Sequence, residues 1–341
     1  MLRKKKNNSI SKESLNMNQC TNHMISGLKK IIETILLISI LLVTVQNCYS
    51  QTDYISSSPK LAIWELGNSN ETIVILHGGP AVEHSYLRPE WDTLSSISKI
   101  FYYDQRGCGK SDTAQSYTWI DHVQDLKRIK ETISKNDKII LAGSSWGAEL
   151  ALLYSMYFPE DIKAIILSGF CGWNGENTKK IDFNNYIVDS LYSFKRKEII
   201  SNYEDSIRDS KAIHYKDFFK RVEENVNPEK ELLKRITSNF GNRKSIIGAQ
   251  TMRSLKSAPD INYLSKINIP ILAFGGNLIC TYQDWSDVIE DLNYNTKRVV
   301  IDNSCHDPWF THKTEFFQEC FKYIENIKNN SNVDLFKNTE R

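Results

Sequence analysis

The stretch KIILAGSSWGAELALLYSMYF, residues 138–158, decides the fold. It opens on KIILA, an apolar, isoleucine-rich run with the composition of a buried strand. It closes on AELALLYSMYF, an apolar run of mostly good helix formers. Between them stands GSSWG (143–147), of the form G-x-S-x-G. A strand that turns directly into a helix leaves one residue at the apex, and small neighbours let the backbone fold that sharply. Ser145 is that residue and the candidate nucleophile. It would stand at a helix N-terminus, where the dipole favours developing negative charge.

Similar runs lie on both sides. ETIVILHGG (71–79), KIFYYDQRG (99–107), KAIILSGF (163–170), IPILAFGG (269–276) and TKRVVIDNS (296–304) read as strands. WIDHVQDLKRIKETI (119–133) sets Ile120, Val123, Leu126, Ile129 and Ile133 at helical spacing, and SDVIEDL and TEFFQECFKYIENI follow the last two strands. Continuous apolar strands alternating with helices predict an α/β domain, a mostly parallel sheet with helices on both faces. The rhythm stops at residue 171. A polar, aromatic segment, 171–258, with helical stretches NNYIVDSLYSFKRKEII and PEKELLKRITSNF, reads as a helical cap. It divides the core into 51–170 and 259–341.

Residues 1–50 differ from the rest. LRKKKNNS opens a polar lead, Lys29 and Lys30 flank the apolar run IIETILLISILLVTV (31–45), and QNCYSQ follows. A basic flank, a short apolar run and small residues describe a secretory signal, with cleavage expected after Ser50. Met24 would open a signal of more usual length. The run is shorter than the ~20 apolar residues a spanning helix needs and carries Glu33, so an uncleaved membrane anchor is the second reading. This segment holds seven Lys/Arg and two Asp/Glu, and its removal changes the net charge from +2 to −3. Basicity therefore belongs to targeting, and no nucleic-acid surface is expected. The location expected is periplasmic or extracellular.

HGGP (77–80) ends an earlier strand. A tetrahedral acyl-transfer intermediate needs backbone N–H donors at its oxyanion. Pro80 has none, so the expected donors are Gly79, with Gly78 beside it, and Trp146 after the nucleophile. His306, in VVIDNSCHDPWF after the last strand, is the expected base, because a neutral serine hydroxyl attacks a carbonyl poorly. His84, His122 and His312 read as loop or helix-surface residues. No metal cluster or cofactor motif is evident, and DQRGCGKS lacks phosphate-loop spacing.

HGGP, YDQRGCGKSD (103–112), GSSWGAELALLYSMYFPE (143–160) and CHDPWF together resemble the α/β-hydrolase superfamily, and within it the proline iminopeptidase-like branch. The resemblance spans residues 60 to 325, with the cap matching in position only. Where the family commonly has HGGPG, this chain has Ala81. The resemblance implies an α/β-hydrolase fold with a helical cap, a Ser–His–acid mechanism, release of N-terminal residues from peptides, and a structural role for Asp104 and Arg106. It also implies a cap carboxylate for the substrate's amine, for which Glu176 is the candidate. Relatives with a similar core hydrolyse esters, lactones or amides. An esterase or amidase on small hydrophobic substrates therefore stays open, as does a weakly active binding protein.

The expected acid is missing. In PILAFGGNLICTYQDW (270–285) the family's acid position falls on Ile279 or Leu278, and Asn277 carries no charge. Asp284 is the first alternative and Glu176 the second. Asp307 is too close to its neighbour His306 for its side chain to reach back. The third possibility is a Ser145–His306 dyad with no acid. Cys280 follows Ile279 in the altered acid turn, Cys305 precedes His306, and in an exported protein the two could form a disulfide.

Overall fold

The computed structural model describes residues 29–30, 32, 53–55, 58–173, 231–232, 235, 244–277 and 286–329. The chain divides into two compact units, Met1–Ser50 and Gln51–Arg341. In the first, Lys29, Lys30 and Ile32 are helical; the rest of the run 31–45 lies outside the described residues. Among the described residues no helix is long and apolar enough to cross a membrane.

The second unit is built on eight strands: β1 (Asp53–Ile55), β2 (Leu61–Leu66), β3 (Thr72–Leu76), β4 (Lys99–Tyr103), β5 (Ile139–Ser144), β6 (Ile162–Ser168), β7 (Ile271–Gly276) and β8 (Thr296–Ile301). They form one sheet in the order β1-β2-β4-β3-β5-β6-β7-β8. β3 to β8 run parallel, whereas β1 pairs antiparallel with β2, and β2 with β4. The antiparallel edge was not legible in the sequence: β1 is three residues long, and nothing in the residues of β2 (LAIWEL) marks that it runs against β4.

Among the described residues the α-helices include α1 (Trp119–Ile133), α2 (Trp146–Tyr157), α3 (Lys244–Ser254), α4 (Ser286–Leu292), α5 (Pro308–Thr311) and α6 (Lys313–Asn329). α1 starts where its chemistry says it should: Thr118 caps it, and Thr118 and Asp121 bond each other's backbone in a capping box. Its residues Val123, Leu126 and Ile129 pack with Val74, Leu76, Leu141 and Leu167 on one face of the sheet. Ile73, Ile75, Ile140, Ile166 and Phe274 point the other way, onto Trp91, Trp309 and Phe316. Successive residues of a strand face opposite sides, so a sheet covered on both faces needs uninterrupted apolar strands. Each fully buried Ile or Leu contributes about 1.5–3 kcal/mol.

The cap expected over 171–258 falls mostly outside the described residues. Its described end, α3, docks on the start of α1. Trp119 N donates to Ser254 Oγ at 2.9 Å, and Thr251 Oγ1 donates to Tyr117 O at 2.7 Å.

Two histidines expected at the surface are buried. His84 faces Asp104, with Nδ1 2.8 Å from the carboxylate. His122 lies on the α1 face covered by α3, its Nε2 3.1 Å from Thr251 Oγ1. Helical spacing alone made that face look exposed. Burial, aided by the Arg106 charge and opposed by Asp121, pushes the His122 pKa down to about 3. The unfolded chain would protonate near pH 6.5. The neutral form's contribution is thus complete above pH 6.5 and is lost as pH falls toward 3. His122→Gln is expected to lessen the stability lost between pH 7 and 4.5 by about 2–3 kcal/mol. Urea unfolding at both pH values measures it, and parallel losses in the two proteins would refute it.

Candidate active site

The parallel strands all end at one edge of the sheet, where the functional loops gather. β5 ends at Ser144 and α2 begins at Trp146, so Ser145 alone turns the chain. Its φ of 54° and ψ of −129° are rare for a residue with a side chain and cost about 1–3 kcal/mol. The two glycines of G-x-S-x-G are steric demands. A Cβ on Gly143 would collide with the Gly147 carbonyl, and one on Gly147 with the Leu76 carbonyl. The turn is tied to β6 by Ser145 N donating to Ser168 O at 2.8 Å. Trp146 is the first residue of α2, so its amide has no intrahelical acceptor and is open to an anion.

The loop after β3 lies against this turn. A Cβ on Gly78 would come within 2.9 Å of Ser145 Cβ. The Gly78 amide, however, donates to the Tyr86 hydroxyl at 2.8 Å. The Gly78 amide is thus committed, and Gly79, at φ 119°, is left as the candidate donor beside Trp146. Tyr86 was not read from the sequence; nothing in the spacing of HGGP and Tyr86 signals that bond. Burial, reinforced by the charge of Asp307, holds its phenol well above the usual range.

The DQRG segment braces these loops, chiefly through a residue the sequence reading passed over. Gln105 N donates to His77 Nε2 at 3.0 Å, Gln105 Nε2 donates to His77 O at 2.8 Å, and Trp146 Nε1 donates to Gln105 Oε1 at 2.7 Å. Gln105 therefore links the loop that holds Gly79 to the turn that holds Trp146. Asp104 accepts from the His84 and Lys110 amides at 3.1 and 2.8 Å. Burial would raise its carboxyl, but the hydrogen bond and charge of His84 outweigh this and leave it below the usual range. Arg106 grips Asp125 with two hydrogen bonds of 2.7 and 2.8 Å and meets Asp121 at 3.1 Å.

His306 follows β8 and packs on the end of β6. A Cβ on Gly169 (φ 64°) would stand 3.0 Å from His306 Cε1 and 3.1 Å from Nδ1. Ser145 and His306 thus converge on the residues that close β6. Asp307 is committed elsewhere: its Oδ1 accepts from Ser144 Oγ at 3.0 Å and from Trp309 Nε1 at 2.7 Å. The turn after β7 meets the base loop, since a Cβ on Gly276 would lie 2.6 Å from Cys305 O. Asn277 secures that meeting, donating to Asp302 Oδ1 at 2.7 Å and accepting from Asn303 N at 2.8 Å.

Leu278, Ile279, Cys280, Asp284 and Glu176 lie outside the described residues. Cys305 is disulfide-bonded, while Cys108, Cys171 and Cys320 are not in disulfides. Among the described residues no group of three His, Cys, Asp or Glu could hold a metal ion. A hydroxyl on a strained turn, two amides nearby and an imidazole at the neighbouring strand end suit acyl transfer.

Residues 71–313 match the family described as alpha/beta hydrolase fold. Over 284 residues the chain is 28% identical to a proline iminopeptidase from Saccharolobus solfataricus, covering 78% of this chain and 88% of that protein. A shorter stretch of 103 residues is 42% identical to a proline iminopeptidase from Lactobacillus acidophilus, covering 28% of this chain and 34% of that one. Among solved structures, a thermophilic esterase from Thermogutta terrifontis matches with a TM-score of 0.62 at 16% identity, covering 82% of this chain and all but 1% of that one (99%). An enol-lactonase from Burkholderia xenovorans matches with a TM-score of 0.57 at 15% identity, covering 80% and 100%. At those identities the structural likeness concerns the fold alone. With its glycine-framed serine turn, its sheet order and these matches, the chain belongs to the alpha/beta hydrolase fold family and is proline iminopeptidase-like.

Proposed function

We propose that the protein is an exported serine hydrolase that works through an acyl-enzyme, an aminopeptidase of the proline iminopeptidase type releasing N-terminal residues from short peptides. The observation that carries this reading is the backbone of Ser145, held at φ 54° between Gly143 and Gly147 beside the Gly78–Gly79 turn. A strained conformation at a nucleophile position is what a serine presented to substrate requires. His306 accepts the Ser145 proton as Oγ attacks the scissile carbonyl. The oxyanion is received by the amides of Gly79 and Trp146. His306 then returns the proton to the leaving amine, and water releases the acyl group. The preference for peptides is supported by the similarity to proline iminopeptidases over most of the chain. Glu176 is the proposed partner of the substrate's amine and Asp284 the proposed acid. Export is supported by the basic and apolar pattern of residues 1–50.

Turnover of four chromogenic substrates tests this. Prolyl arylamide is expected to be cleaved and N-acetylprolyl arylamide to be refused, since acetylation removes the amine. Acetyl and butyryl aryl esters are expected to have kcat/KM below that of prolyl arylamide. Equal cleavage of the free and acetylated amides, or a preference for the esters, would reject the aminopeptidase in favour of an esterase.

A further inference from the structure

Gly78 and Gly79 follow one another, and successive glycines leave the backbone between them free to rotate. An oxyanion amide helps only if it already points to the place where charge will develop. Something must therefore fix the loop after β3. Tyr86 lies eight residues beyond Gly78, in a short 3-10 turn, His84–Leu87. It is 3% exposed, and its hydroxyl accepts the Gly78 amide at 2.8 Å. A Cβ on Gly78 would stand 2.8 Å from that hydroxyl and 2.9 Å from Ser145 Cβ. Gly78 is thus held between the phenol and the side chain of the nucleophile.

The phenol is anchored in turn. Burial and the charge of Asp307 keep it neutral, against the smaller effects of the Ser144 hydroxyl and the Gly78 amide. A neutral phenol that accepts one proton still has its own to give, and Ser144 and Asp307 are the groups beside it. Ser144 precedes the nucleophile, and Asp307 follows the base. Ser144 Oγ donates to Asp307 Oδ1 at 3.0 Å, and Trp309 Nε1 donates to the same oxygen at 2.7 Å. The Trp309 ring lies 6.0 Å from the Tyr86 ring, centre to centre. The backbone of the 3-10 turn is tied as well. His84 N donates to Asp104 Oδ1 at 3.1 Å, and Arg235 Nη1 donates to Tyr86 O at 3.1 Å.

We propose that Tyr86 is a positioning residue for the oxyanion hole: its hydroxyl, anchored beside Ser144 and Asp307, holds the Gly78 amide and so sets the direction in which Gly79 presents its own. The inference rests on Ser145 being the nucleophile and Gly79 an oxyanion donor. Peptide planes are rigid. Once the Gly78 amide is fixed, only the two torsions of Gly78 place the next N–H. Tyr86 acts through Gly78, and it ties the oxyanion loop to the turn of the nucleophile and the loop of the base.

Tyr86→Phe keeps the ring and removes the hydroxyl. It is compared with wild type by the second-order rate of fluorophosphonate labelling, prolyl arylamide kinetics across pH, and thermal melting. Labelling rate and kcat are both expected to fall about tenfold, short of the ~10²–10³-fold for deleting an oxyanion donor, because the amide is loosened and not lost. KM is expected to hold, and the acid limb of kcat/KM against pH to keep its midpoint, because the base is untouched. A purely structural role would lower the melting temperature and the fraction of sites that label, with the rate at each folded site unchanged. Ser144→Ala removes the hydroxyl beside the phenol and is expected to slow the same two rates by less. It decides the matter if Tyr86→Phe does not melt as a folded protein. Wild-type rates per folded site in the deciding variant, or a shifted midpoint, would overturn the proposal. Wild type that labels at Ser145 alongside either result leaves the serine-hydrolase reading intact, and labelling reads the proposal even where prolyl arylamide is not cleaved. Wild type that does not label brings down both.

Discussion

Ser145→Ala is expected to abolish fluorophosphonate labelling and to lower kcat by at least about 10²-fold. The scale comes from the way triad members act as a unit. Loss of the serine or the histidine alone costs about 10⁶-fold in a serine protease, and loss of the acid alone about 10⁴-fold. The lower bound is the case in which no carboxylate serves His306, where removing the serine costs only the remaining ~10²-fold. A drop near 10⁶-fold is the size expected when a carboxylate completes the triad. His306→Ala is expected to match Ser145→Ala within a few-fold for the same reason. The measurements are arylamide turnover with active-site titration and in-gel labelling. Labelling that survives Ser145→Ala would place the nucleophile elsewhere. The Ser145 backbone adds a second readout: alanine keeps the strained φ of 54°, so the variant should melt close to wild type.

Arg106→Ala is expected to destabilise the fold by about 3–5 kcal/mol, the range for removing one partner of a buried ion pair. Arg106 is 5% exposed, and Asp121 and Asp125 are 1% exposed each. Its guanidinium gives two hydrogen bonds to Asp125, one to the Ser116 carbonyl at 2.9 Å, and a charge to Asp121. Without it Asp121 and Asp125 lose the cation they share, and Asp125 is left with Arg128, whose Nη1 lies 3.3 Å from its Oδ1. Burial already pushes the Asp125 carboxyl above the usual range with Arg106 in place, so in the variant Asp125 would take up a proton and limit the loss. The effect should reach the site as well, because Gln105, next in the chain, bonds His77 and Trp146. Chemical denaturation of both proteins at pH 7 supplies the numbers. A loss under about 1 kcal/mol would show that this network is dispensable.

Much of the fold was legible because its signals are local. The helix expected over 119–133 is α1 residue for residue, since its apolar spacing and the Thr118–Asp121 cap lie within the same stretch. The strand runs were found for the same reason, with ends displaced by a residue or two. KAIILSGF, for instance, stops pairing at Ser168 because Gly169 turns to φ 64°. The antiparallel edge and the burial of His84 and His122 were missed, because both depend on what packs against those residues. Asp104 and Arg106 were assigned as braces by resemblance, and each holds buried hydrogen bonds. The contribution of Gln105 between them became visible only with His77 and Trp146 beside it.

The site divides along the same line. The sequence by itself determined a strand–turn–helix with a serine at its apex, because glycines at 143 and 147 are the side chains that such a turn admits. It also determined the glycine loop after β3, the histidine after β8, and the absence of a carboxylate at 278 and 279. Tertiary structure alone decided how the polar groups pair. Gly78 gives its amide to Tyr86, Asp307 turns to Ser144 across 163 residues of chain, and Cys171 meets His306 across 135. The physical reason is the parallel sheet. It gathers strand ends that are remote in sequence onto one edge, and a hydrogen bond there depends on ångström placement rather than on spacing along the chain.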